Sequence, residues 1–125
     1  MSEDDEMESS ALNVTHQKDY DIPEVLSSRL MQTQPRLKPV IGKFVGELSE
    51  KCKVIDLAVV KKDYQEIEQF GHWLKASGGS LGFNAFTEPA RDLENHAKQR
   101  QVDSIKHTVS VIKQLNSRIQ QVDKM

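Results

Sequence analysis

The chain has 125 residues, 37% hydrophobic and 29% charged, enough for one domain with a modest core and well-solvated helices. No apolar run approaches the ~20 residues that cross a bilayer, and the acidic start lacks the basic-then-apolar pattern of a secretory signal. A single cysteine, Cys52, excludes an internal disulfide and a Cys-based metal site, and points to a reducing cytoplasm.

The net charge of −2 is unevenly placed. Residues 1–21 carry seven acids and one base, a net −6, and read as a disordered acidic tail. The remaining body carries +4, too little and without the Lys/Arg stripe that nucleic acid requires; it suits an acidic protein partner better. Residues 22–35 form a linker containing Pro23 and Pro35, with a short helix expected at Glu24–Met31. Pro39 fits the first turn of the helix that follows.

Ile41, Val45, Leu48, Cys52, Ile55 and Val59 alternate spacings of four and three, the seam of a bundle helix, and Phe44 widens it. Lys61 and Lys62 suit the negative end of that helix. Asp63 reads as the next N-cap, with Glu66 three residues on. The helix predicted from Asp63 to Gly79 turns Ile67, Phe70, Leu74 and either Ser77 or Leu81 inward. A fourth segment, Asn84–Lys98, places Phe86, Ala90, Leu93 and Ala97 on its inner face; Pro89 must lie in its first turns or kink it. The fifth, Val102–Val122, repeats apolar residues from Val102 through Ile105, Val109, Ile112, Ile119 and Val122. Short connections make neighbours antiparallel. The expected fold is all-α: an antiparallel up-and-down four-helix bundle over residues 36–122, with a short N-terminal helical extension.

At ~100° per residue, His72 lies ~200° from both Phe70 and Leu74 and so faces away from the core. Its neighbours on that outer stripe are Gln65, Glu68, Lys75, Ala76 and Gly79. Small residues on its C-terminal side leave a flat, accessible spot where another protein surface can approach. A neutral imidazole Nε2 is a competent nucleophile toward phosphorus, and a lysine one turn away can help hold a phosphoryl group.

"HWLKASGGSLG", His72 to Gly82, resembles the signature of histidine phosphotransfer (HPt) domains: His72, Leu74, Lys75, Ser77, Leu81 and Gly82 fit it, and the likeness runs on through Leu93-Glu94. Ala76 stands where the family usually has glycine. The resemblance implies a two-component phosphorelay intermediate, a phosphocarrier without kinase activity, with His72 as phosphoacceptor and Lys75 as the cation beside it. The docking surface expected from the helical geometry is that outer stripe, Gln65, Glu68, Ala76 and Gly79, and the resemblance implies that the small residues after His72 keep it low. The implied partners are receiver domains of a hybrid sensor kinase or a response regulator. The divalent metal of such transfers then belongs to the receiver, and no cofactor is expected on this chain. A monomer is expected, because one outward histidine face needs no dimer.

Rival chemistries find little support. His72, His96 and His107 sit on three different predicted helices, and His16 lies in the tail, so the histidines form no metal-ligand spacing. "ASGGSLG" lacks the Lys-Ser/Thr ending of a phosphate-binding loop, leaving no visible means of binding ATP. Ser77 and Ser80 have no base within local reach. Trp73 reads as edge-of-core packing that also borders the docking face. The alternative function is a helical bundle that binds receivers or other partners without carrying phosphate; mere binding would need neither His72 nor Lys75.

Overall fold

The computed structural model describes residues 18–119. Within them, α1 (Leu30–Thr33) and a 3-10 turn (Pro35–Leu37) lead into α2 (Lys38–Lys61), then α3 (Tyr64–Ser80). A second 3-10 turn (Asn84–Phe86) precedes α4 (Thr87–Lys98), and α5 (Val102–Ser117) completes the bundle. Each long helix packs against the next, and α2 closes the ring against α5, giving the expected antiparallel four-helix bundle.

The seam of α2 is Ile41, Phe44, Leu48, Cys52, Ile55 and Ala58. Val45 and Val59, expected on it, are half-buried and flank it. In α3 the inner positions are Ile67, Phe70, Leu74 and Gly78. Gly78 takes the place expected for Ser77 or Leu81, and the Phe86 side chain fills the space it leaves. Pro89 is the third residue of α4 and is buried. Its missing N–H falls among the first-turn donors that have no intrahelical partner, so α4 needs no kink to hold it.

The three interhelical turns share one construction. Lys62, Gly82 and Arg100 have φ of 57°, 89° and 56°, the left-handed region. In each turn the next residue's N–H bonds back across it: Asp63 to the Ala58 carbonyl (2.9 Å), Phe83 to Gly78 (2.8 Å) and Gln101 to His96 (3.0 Å). These are Schellman ends, which satisfy carbonyls the helix leaves open. Only one of the three uses glycine. Lys62 closes α2 through its backbone conformation as well as its charge, at a strain of about 1 kcal/mol.

α3 and α4 form the closest pair. A Cβ on Gly71 would lie 2.9 Å from both the Ala90 carbonyl oxygen and the Glu94 nitrogen, so only glycine permits this approach.

The N-terminal segment departs from expectation. No helix spans 24–31; the chain bends at Glu24 and Val25, Leu26 makes an isolated bridge, and only Leu30–Thr33 is helical. Ser28 is the reason. Its hydroxyl donates to the Leu81 carbonyl (2.5 Å) and accepts from the Leu30 N–H (3.1 Å), which starts the helix late. Leu26 is buried, and its N–H donates to the Arg118 carbonyl (2.7 Å) beside an isolated parallel bridge to Ile119. Of the expected acidic tail, residues 1–17 lie outside the described residues. Residues 18–21 run along α4 and α5: Lys18 pairs with Glu88 and Asp92, and the Tyr20 hydroxyl donates to Asp92 (2.5 Å). α5 ends at Ser117, short of the expected Val122: Arg118 caps it, Ile119 leaves the helix to bridge Leu26, and residues 120–122 lie outside the described residues.

Candidate functional site

Asp63 caps α3, its carboxylate accepting the Glu66 N–H at 3.2 Å, as the spacing predicted. With Ile67, Phe70 and Leu74 drawn into the core, the register of α3 fixes the outward face. His72 stands on it with 68% of its side chain exposed. Its Nδ1 lies 3.4 Å from Glu94 Oε2, across the close α3–α4 contact that Gly71 allows.

Glu94 organises the charges here. Its Oε1 accepts a 2.9 Å hydrogen bond from Lys75 Nζ. Its Oε2 faces His72 Nδ1 and, at 3.9 Å, Lys98 Nζ. Lys98 also lies 3.8 Å from Glu68. Only 12% of the Glu94 side chain is exposed. Its carboxyl is nonetheless held below the usual range, first by the Lys75 hydrogen bond, which outweighs the desolvation that burial imposes. An anion facing Nδ1 favours the tautomer protonated there, which leaves the Nε2 lone pair free on the far side of the ring.

Beside the ring runs a shallow groove of about 520 Å³, lined by Glu68, Gln69, His72, Trp73, Ala76, Ser77 and Glu94. Trp73 forms one side of it. The indole is half-buried, packs at 5.4 Å from the Phe44 ring and carries Lys51 Nζ 4.9 Å above its own. Edge-of-core packing and a place on the exposed face are thus both true of it.

Of the residues the sequence singled out, the structure brings His72, Lys75 and Glu68 into one charge network and places Ala76 in the adjoining groove. Gln65 is exposed on the same helix but does not line that groove, nor does Gly79, whose nearest tertiary neighbour is Thr87. The other two described histidines are engaged elsewhere: His96 with Gln101, and His107 donating from Nε2 to the Lys18 carbonyl. His16 lies outside the described residues. Among the described residues, no three His, Cys, Asp or Glu side chains gather as a metal site would require.

The family model described as Hpt domain matches residues 39–124, most of the chain. The chain belongs to the Hpt domain family. At the family level, Hpt domains are phosphocarriers rather than kinases; they serve histidine phosphotransfer in two-component systems and interact with receiver domains. Comparison with curated proteins and with solved structures returned no match. The matched span begins at the second residue of α2, so this Hpt domain carries its N-terminal arm in addition to the family bundle. No helix among the described residues is long and apolar enough to cross a membrane.

Sequence reasoning gave no role to Gly71, Glu94 or Lys98. A glycine between two core-facing turns, and an acid between Leu93 and Ala97 on an otherwise apolar face, were the available signals. Neither says what lies opposite until the helices are paired.

Proposed function

We propose that this Hpt domain is a phosphorelay intermediate in which His72 accepts a phosphoryl group from one receiver-domain aspartate and passes it to another. The observation that carries this reading is the outward His72 ring, with Nδ1 turned to Glu94 and Nε2 left open. In the forward step, Nε2 attacks the phosphorus of an aspartyl phosphate. The N–P bond forms as the acyl O–P bond breaks, and the aspartate departs as carboxylate. The proton stays on Nδ1, where the Glu94 carboxylate offsets the positive charge of the phosphorylated ring. Attack by a second receiver's aspartate reverses the sequence. Lys75 fixes Glu94 and supplies positive charge beside the transferring group. The divalent cation that such transfers use is assigned to the receiver's acidic pocket, and the phosphoryl energy comes from the donor.

A module that only bound receivers would have no use for a histidine held between a carboxylate and two lysines, which favours phosphate carriage over simple docking. The test is transfer from a phosphorylated receiver domain to the protein and to its His72→Gln variant. Acid-labile, base-stable label on the wild type and none on the variant is the expected result. Binding without label, across several receivers, would leave an interaction bundle.

A further inference from the structure

One face of α2 packs on α3 and α5, and the opposite face carries a pattern that the bundle does not use. Leu57 lies ~180° around the helix from the buried Leu48. Gly46, Glu50, Lys53 and Leu57 follow one another on that outer side at spacings of four, three and four, the same rhythm as the inner seam. Leu57 is 56% exposed, and Val54 and Val60 stand exposed on either side of it.

The outer face is uneven along its length, and the unevenness complements itself. Its first half is bare: Gly42 and Gly46 sit one turn apart, and a Cβ on Gly46 would meet nothing within 4 Å. Its second half bears Leu57 and Val60. Between the halves, Glu50 and Lys53 pair at 3.1 Å, both well exposed. A second copy turned end for end about an axis midway between Glu50 and Lys53 sets Leu57 opposite Gly46 and Val60 beside Gly42. The same rotation makes each Glu50 face the other copy's Lys53. Glycine weakens a helix interior, and no contact within the described residues calls for it at Gly46.

We infer that the outer face of α2 is a self-association surface, on which a second copy of this chain packs antiparallel with its Leu57 over the bare Gly46. A second copy is the occupant because one face supplies bump and hollow, acid and base, at positions that a two-fold axis exchanges. The groove beside His72 is lined by α3 and α4 alone, so a pair joined through α2 keeps both His72 rings open. The inference stands independently of the relay reading.

Sedimentation equilibrium of the full chain tests it. A lone helix-on-helix contact falls short of the ~1,200 Å² of standard interfaces, so the chain should be monomeric at ~5 μM and largely dimeric at ~1 mM. Leu57→Glu buries an unpaired charge and Gly46→Gln fills the hollow; each should weaken association by about tenfold or more. Both positions are open in the single chain, so both variants should keep wild-type helical content. Glu50→Lys alone sets like charges together twice over and should weaken association by about fivefold or more. Combining it with Lys53→Glu should restore association, because the exchange keeps every pair, within and between copies. A wild type that stays monomeric at ~1 mM overturns the inference. So does association that survives Leu57→Glu or Gly46→Gln, which would place the contact elsewhere. A doubly exchanged variant no better than Glu50→Lys alone overturns the antiparallel pairing, and the inference with it.

Discussion

Two helical glycines should respond to alanine in opposite directions. At Gly71 a new Cβ would sit 2.9 Å from two backbone atoms of α4, the Ala90 oxygen and the Glu94 nitrogen. That is roughly 0.5 Å inside ordinary contact, and neither atom belongs to a side chain that can swing away. α4 must therefore move bodily. Overpacking of this kind costs about 1–3 kcal/mol, against which alanine returns about 1 kcal/mol of helix propensity. Two backbone contacts at once put the cost at the upper end of that range, so Gly71→Ala should be destabilised by up to about 2 kcal/mol, a fall in thermal midpoint of up to roughly 10 °C for a domain of this size. Gly46, in α2, has nothing within 4 Å of its would-be Cβ. Gly46→Ala should gain most of the propensity term, about 0.8 kcal/mol. Urea and thermal unfolding of both variants beside wild type provide the measurement. Gly71→Ala as stable as wild type would refute the claim that glycine sets the α3–α4 spacing. Because Glu94 travels with α4, the same variant should also transfer phosphoryl more slowly than its residual stability explains.

Other substitutions follow from the turns and the charges. Lys62→Gly relieves a left-handed φ and should raise stability by about 0.5–1 kcal/mol in urea unfolding; Arg100→Gly should gain less, because Arg100 lies 5.4 Å above the Tyr64 ring and that contact is lost. Glu94 gives a pH signature. Its folded carboxyl sits below its unfolded value of about 4.3, so its stabilising contribution is complete above that value and disappears as pH falls through the folded one. Wild type should lose stability between about pH 5 and pH 3 more steeply than Glu94→Gln, and parallel curves in urea titrations would count against the Lys75–Glu94 pair as a source of stability.

The parts of the fold set by local spacing were legible in advance. The apolar stripe of α2, the Asp63 cap and the outward turn of His72 each depend on residues within a few positions of one another; the structure carries the last two, and the stripe with Phe44 and Ala58 in the places expected for Val45 and Val59. What the sequence hid depends on pairing between helices. Glu94 comes to His72 only because Gly71 is bare on the facing helix, and no periodicity within α4 announces that. The late start of α1 has the same origin: Ser28 bonds to Leu81, more than fifty positions away, and this overrides the helical reading of 24–31. Lys62 and Arg100 show a third kind of miss, since non-glycine residues in left-handed turns carry no compositional mark.

The arm before α2 ties together elements that are remote in the chain. Leu26 bonds to the last turn of α5 at Arg118, while Ser28 and Arg29 bond to Leu81 and Gly82 at the end of α3. Its release is therefore a sub-global opening rather than simple fraying of an end. The amides of Leu26 and Arg29 should exchange with solvent as one unit, at a free energy below that of global unfolding. Each such opening also loosens the terminus of the helix that presents His72, so the steadiness of that ring is governed partly by a strand of chain that never touches it.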